Sequence, residues 1–167
     1  MRQLRLDGET LTLTQVEAFL AKDAQVDATE TSWEKVAAGA RFCEEIAYGD
    51  KTYYGINTGF GVLANKRIAK ASLEKLQRNL LRSHATGMGA DLPEDIVRLM
   101  LLLRVNSLLR GYSGVSTEVI KHLLAFINRG LIPAIPAYGS VGASGDLAPL
   151  AHMSLPLIGE GWAYLGG

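Results

Sequence analysis

Cysteine is almost absent: Cys43 is the sole example in 167 residues, so no intrachain disulfide can form and a stapled secreted scaffold is excluded. A reducing compartment follows, and the cytoplasm is the expected location. Charge of either sign is not in excess, because 17 Lys and Arg face 17 Asp and Glu. Without a basic surplus the chain lacks the electrostatic footprint that holds nucleic acid or an anionic membrane, which leaves a small molecule or another subunit as the expected partner. Long apolar runs are missing too. The greasiest segment, Leu99 to Leu109, is interrupted by Arg104 and Asn106, and the opening MRQLRLDGETLTL has no apolar stretch of signal-peptide kind. Neither a membrane span nor an export signal is expected. His84, His122 and His152 lack the short spacing of a metal site, so zinc is not expected either.

What is present is helical periodicity. Thr14 and Glu17 have the spacing of a capping box ahead of Val16, Phe19 and Leu20, and Thr31 and Glu34 repeat it before Trp33, Val36, Ala37, Ala40, Cys43, Ile46 and Ala47. Two helices are predicted, the second ending near Tyr48. Three more are predicted from Ser72 to about His84, from Pro93 to Arg110, and from Ser116 to Arg129 with Gly130 as the stop. Leu99, Leu102, Leu103, Val105, Leu108 and Leu109 surround most of the middle one, which places it at the centre of the core. A length of 167 residues suits one ordinary domain. The class is mainly α, with a small β component near Leu4 to Leu13. Gly166 and Gly167 follow an apolar segment that has no visible closing partner, so a structurally incomplete domain is expected.

Two segments break the pattern. Residues 53–64, YYGINTGFGVLA, carry Gly55, Gly59 and Gly61, which make a regular helix costly and permit positive φ; a flexible loop is predicted. From Ile132 the text turns to IPAIPAYGSVGASGDLAP, whose prolines and glycines exclude a long regular element. A helical pattern then resumes over Leu147 to Ile158, with Asp146 as N-cap, Pro149 tolerated in the first turn and Pro156 marking an end or kink. The glycines at 139, 142 and 145 do not cradle a phosphate: no lysine follows, no β-branched strand precedes, and the spacing misses the dinucleotide fingerprint, so no nucleotide is expected. Small side chains at Ala143 and Ser144, followed by the unhindered amide of Gly145, make a five-membered backbone ring sterically conceivable.

Taken with its context GSVGASGDLAPLAH, that triplet resembles the histidine and phenylalanine ammonia-lyase family. YGINTGFG at 54–61, NLLRSHATGMG at 79–89 and RVNSLLRGYSGV at 104–115 look like family segments in family order. The resemblance covers nearly the whole chain but only the first part of a family chain, and it implies the N-terminal portion of an ammonia-lyase (aspartase-like) fold over 1–167 with a cofactor-forming loop at 139–149. It also implies that the Gly145 nitrogen attacks the Ala143 carbonyl, that two waters leave, and that Ser144 becomes the methylidene carbon of a methylidene-imidazolone. A helix opening at Asp146 and Leu147 would then favour negative charge developing there.

By the same resemblance Tyr54 is the general base that removes the β-proton, while its neighbour Tyr53 packs. An ordinary phenol, with a pKa of about 10, is too weakly ionised for this, so the role calls for nearby positive charge or hydrogen-bond donors. Gly55, Asn57, Gly61, Gly142 and Asp146 are the supporting loop positions. Periodicity puts His84 after Leu73, Leu76 and Leu80, as a histidine at a helix end; the resemblance gives Ser83 and His84 the substrate's ring, and a Ser-His pair is similar to enzymes acting on histidine. His122 and His152 are read as structural or surface groups, and Met88, Met100 and Met153 as core fillers. The implied reaction is elimination of ammonia from L-histidine to give trans-urocanate, with sites shared among the subunits of a homotetramer. Elimination from phenylalanine or tyrosine, an aminomutase using the same cofactor, and an inactive fragment serving only assembly are the alternatives.

Overall fold

The computed structural model describes residues 2–21, 24–59 and 65–165. Strand β1 (Arg2–Leu6) pairs in parallel with β2 (Ala24–Ala28), in register from Arg2 opposite Ala24 to Leu6 opposite Ala28. A parallel pair needs a crossover, and α1 (Leu13–Leu20) lies within it. Leu4, Leu6, Val26 and Ala28 are buried, the two-residue alternation of a half-covered sheet. The outer edge of β2 is closed from far away: Asn128 accepts the Val26 N–H at 2.9 Å and donates to the Val26 carbonyl at 2.8 Å, standing in for a third strand. The expected β component is therefore confined to β1 on its side of the chain, and Leu13 begins a helix instead.

Helix starts follow side-chain chemistry, displaced from the sequence reading by two residues. The first capping box is Thr12 with Gln15, not Thr14 with Glu17: the Thr12 N–H donates to Gln15 Oε1 at 2.8 Å and Thr12 Oγ1 accepts the Gln15 N–H at 3.4 Å. Helix α2 (Glu30–Tyr48) is likewise capped by Thr29, through the Ser32 N–H, rather than by Thr31. These boundaries shift because several Thr residues lie close together, and only the packed chain selects which one turns. Helix α3 (Leu73–His84) follows a short 3-10 turn, and its leucine stripe is only half covered by this chain. Pro93 caps α4 (Glu94–Leu108) in an extended conformation instead of entering the first turn. Ser116 caps α5 (Thr117–Arg129), and Gly130 stops it at φ 67°, as the sequence predicted.

Helices α4 and α5 form the centre. Leu101, Leu102, Val105, Leu109 and Ile120 are fully buried, together with Phe19 from α1, over which the Arg98 guanidinium stacks at 4.8 Å. Leu103 departs from the expected core list: it is 48% exposed. Met88 is likewise exposed, not a core filler, whereas Met153 is buried. Two short antiparallel strand pairs complete the described part: β3 (Met88–Asp91) against β5 (Pro136–Tyr138), and β4 (Leu131–Pro133) against β6 (Ala163–Leu165). Helix α6 (Leu147–Ser154) tightens into a 3-10 turn at Leu155–Ile158, where Pro156 stands.

Helix α2 crosses the turn after α4 at backbone contact. A Cβ on Gly39 would lie 2.0 Å from the Gly111 carbonyl oxygen, a distance no real atom pair tolerates. Alanine should stabilise a helix interior over glycine by about 1 kcal/mol, but overpacking against a backbone costs about 1–3 kcal/mol or more. Gly39→Ala is therefore expected to lower the thermal unfolding midpoint, and a midpoint that rises would show that α2 can slide away from the turn.

Candidate functional site

The triplet loop is built by glycine geometry. Gly139 leaves β5 at φ 150°, where a Cβ would come 3.0 Å from the Gly87 Cα and 3.3 Å from the Ala148 Cβ. Residues Gly142–Ser144 then form one 3-10 turn, and the Gly145 N–H folds back to the Gly142 carbonyl at 3.1 Å. Gly145 at φ 85° and Asp146 at φ 55° reverse the chain into α6; Asp146 is the single non-glycine residue with positive φ among the described residues. A left-handed non-glycine conformation stores about 1–3 kcal/mol, and here the Ser140 hydroxyl, donating to the Asp146 carboxylate, holds it. Asp146 occupies the N-cap position as expected, but its side chain bonds Ser140 rather than capping α6, whose first turn is tied instead by Leu150 N–H donating to the Asp146 carbonyl at 3.2 Å.

Open space surrounds the turn: a Cβ at Gly142 or Gly145 would meet nothing within 4 Å. On one side lies a cleft of about 520 Å³ bordered by Gly145, Asp146, Ser140, Arg104, Met100 and Pro149, a volume within the range of small-molecule sites. Arg104 brings a cation to it, with no ion-pair partner among the described residues, and burial pulls its pKa below the ordinary arginine value. Sequence reasoning treated Arg104 as an interruption of an apolar run and as the start of a family-like segment, without a role in the site. Its position one face round from the buried stripe of α4 was the available signal.

The Tyr54 loop is anchored by Asn57, which is fully buried. Its Oδ1 accepts the Tyr53 N–H at 2.7 Å, and its Nδ2 donates to Lys51 O at 2.9 Å, Ile46 O at 3.3 Å and Ala47 O at 3.4 Å, satisfying carbonyls left open at the end of α2. The Gly55 N–H donates to Thr58 Oγ1 at 3.3 Å, with Gly55 at φ 78°. Residues 53–59 form a hydrogen-bonded turn, and they leave Tyr54 65% exposed; the rest of the predicted loop, 60–64, lies outside the described residues. Gly61 lies outside the described residues.

At the end of α3, His84 Nδ1 stands 2.8 Å from the Leu80 carbonyl and 3.1 Å from Ser83 Oγ, which itself bonds Leu80 O at 3.0 Å. A carbonyl only accepts, so Nδ1 carries the proton and Nε2 of the neutral ring keeps a lone pair. His122, on α5, is exposed and bonds the Glu118 carbonyl through Nδ1 at 2.7 Å. His152 is half-buried and accepts the Gly87 N–H through Nε2 at 3.0 Å. No group of three His, Cys, Asp or Glu side chains is arranged for a metal among the described residues, and none of their helices is long and apolar enough to cross a membrane.

Within this chain, then, Gly145 of the triplet, Asp146 and Arg104 border one cleft, whereas Gly55 and Ile56 border a separate groove of about 790 Å³ beside Cys43 and Leu73. No residue of 53–59, nor Ser83 or His84, borders the cleft beside Gly145.

The fold and this loop define a class: the sequence profile of the aromatic amino acid lyases matches residues 11–167, and the chain belongs to that family. It is 49% identical over 165 residues to the histidine ammonia-lyase of Anaeromyxobacter dehalogenans, covering 99% of this chain and 32% of that protein. Among solved structures it is similar to the ergothioneine-degrading ergothionase of Treponema denticola (34% identity, TM-score 0.93, 99% of this chain and 33% of that one). It is also similar to the tyrosine aminomutase of Streptomyces globisporus (37% identity, TM-score 0.91, 99% and 31%). The chain spans about a third of the length of the relatives it matches.

Proposed function

We propose that this chain supplies the cofactor-forming turn and part of the active site of a histidine ammonia-lyase, which eliminates ammonia from L-histidine to give trans-urocanate. The observation that carries the reading is the turn itself: Ala143 and Ser144 lie with Gly142 in one 3-10 turn, and the amide of Gly145, which follows it, is folded back to the Gly142 carbonyl, in a sequence of this family. The residues present fit a methylidene-imidazolone. The amide that must close the ring is glycine's and unhindered, the space around Gly142 and Gly145 is open, and the left-handed pair at 145–146 supplies the tight reversal. Such a group supplies an electrophile that no ordinary side chain offers. Formed there, it would stand next to the N-terminal end of α6, where partial positive charge favours a developing anion.

The remaining work falls to side chains. Tyr54 takes the β-proton of the substrate; the C–H and C–N bonds break, a carbon-carbon double bond forms, and ammonia leaves. The Asn57 anchor fixes the backbone on both sides of Tyr54. Ser83 and His84 take the substrate's ring, and the lone pair that His84 keeps on Nε2 matches the N–H of an imidazole, which a phenyl or phenol ring does not offer in the same place. Because Gly55 and Ile56, beside Tyr54, border one opening and Gly145 of the triplet borders another, the reading includes a site completed by other chain segments, in a homotetramer located in the cytoplasm.

The likeness to a tyrosine aminomutase favours one second reading, in which the same elimination is followed by return of ammonia at the β-carbon. Substrate choice separates these. A lost hydrogen bond to substrate costs about 0.5–1.5 kcal/mol, and more where the remaining partner is buried, so His84→Leu in the full-length enzyme is expected to reduce kcat/KM for histidine at least several-fold. Turnover of phenylalanine and tyrosine should fall less, or rise. The measurement follows urocanate, cinnamate and coumarate absorbance; a wild type that prefers tyrosine or yields β-amino acids would favour the aminomutase reading.

A further inference from the structure

His152 has no part in the chemistry above, yet it joins two of its components. Its Nε2 accepts the Gly87 N–H at 3.0 Å across 65 residues of chain. A backbone amide only donates, so Nε2 carries the lone pair and the neutral ring keeps its proton on Nδ1. The approach is tight: a Cβ on Gly87 would lie 3.1 Å from His152 Nε2 and 3.1 Å from the Pro136 Cβ, and one on Gly139 would lie 3.0 Å from the Gly87 Cα. Gly87 is thus wedged between α6, β5 and the first residue of the triplet loop. It also closes the segment that begins at Ser83 and His84, where the Ala85 N–H donates to Leu81 O at 3.0 Å and the Thr86 N–H to His84 O at 2.8 Å.

We propose that His152 is a positioning residue: by accepting the Gly87 amide hydrogen it pins the end of the Ser83–His84 segment to the helix that follows the triplet, and so sets the placement of the substrate-binding pair relative to the cofactor-forming turn. This rests on the functional reading above. Gly87 makes the close approach possible, since any larger residue would push the two elements apart.

The tether has a protonation dependence. Burial holds the His152 pKa below its ordinary value, and the Asp91 carboxylate opposes that shift by a smaller amount. Asp91 of β3 and Tyr164 of β6 border the same cavity as His152, with the Tyr164 hydroxyl donating to Asp91 at 2.7 Å. From α3, packed on α6, Arg82 is held by Glu160 in a two-pronged pair at 2.6–3.1 Å. Once protonated, the imidazolium has an N–H on both nitrogens and can no longer accept from Gly87. Because the folded pKa is depressed, the tether is intact above it and lost as the pH falls through it.

The test uses His152→Leu and His152→Gln in the full-length enzyme, read in two ways. Hydrogen exchange of the Gly87 amide at a single pH is expected to accelerate at least tenfold in the Leu variant and to return within about threefold of wild type in Gln, whose side-chain oxygen can accept. The KM for histidine is expected to rise 5- to 20-fold in Leu with kcat changing less, and the ratio of wild-type to Gln exchange at Gly87, which cancels the intrinsic pH dependence, is expected to rise as the pH falls through the depressed His152 pKa. A folded Leu variant with unchanged Gly87 exchange and unchanged KM overturns the proposal, and so does a wild-type to Gln exchange ratio at Gly87 that stays flat on acidification. Should Leu fail to fold, Gln and the wild-type profile decide. A protein with cyclised triplet but no elimination from any aromatic amino acid would remove the functional reading, while the tether would stand or fall on the Gly87 amide.

Discussion

Ser144→Ala in the full-length enzyme is expected to lower kcat by on the order of 10³-fold or more, the scale on which loss of a group acting covalently is felt. The expected chemical signature is in the mass. Wild type should be lighter than its sequence by two waters, one lost when the Gly145 nitrogen closes on the Ala143 carbonyl and one when Ser144 loses its hydroxyl. The Ala variant can lose at most the first. The structure makes the substitution clean, because the backbone turn depends on the Gly145 to Gly142 hydrogen bond and on the positive φ of residues 145 and 146. An active wild type with an unmodified triplet would refute the cofactor, whatever the kinetics of the variant.

Tyr54→Phe should lower kcat by ~10²–10⁴-fold, the usual contribution of a positioned general base, while leaving the two-water deficit intact. Those two outcomes are separable because the loop that carries Tyr54 and the turn that carries the triplet border different openings. The fold should not suffer: Tyr54 is 65% exposed, and the turn is held by the Asn57 side chain and by backbone bonds from Ile56 and Asn57 to the Tyr53 carbonyl at 3.2 Å. Near-normal kcat in the Phe variant would mean that another group removes the proton and that Tyr54 serves the loop.

Helix α5 was readable from its sequence because every signal in it is local. Ser116 caps it, Ile120, Leu123, Leu124 and Ile127 recur at helical spacing and are buried, and Gly130 ends it in the left-handed region. The triplet loop was readable for a similar reason, since the glycines needed for its reversals at 139 and 145 are in the text itself. Where local signals competed, reading was less sharp. Thr12, Thr14, Thr29 and Thr31 could each cap a helix, and the structure uses Thr12 and Thr29.

By itself the sequence determined the mainly helical class, the order of the helices, the turn at 142–145 and the family, since each depends on neighbours in the chain or on a run of residue types. Tertiary structure alone decided the rest: the closing of β2 by Asn128, 102 residues away, the backbone crossing at Gly39 and Gly111, the cation of Arg104 beside Gly145, and the hold of His152 on Gly87. These are contacts between single polar or glycine positions far apart in sequence. They leave no periodic trace, because one hydrogen bond or one missing Cβ needs only one residue at each end, and which two meet is fixed when α4, α5 and Phe19 of α1 bury their apolar faces together.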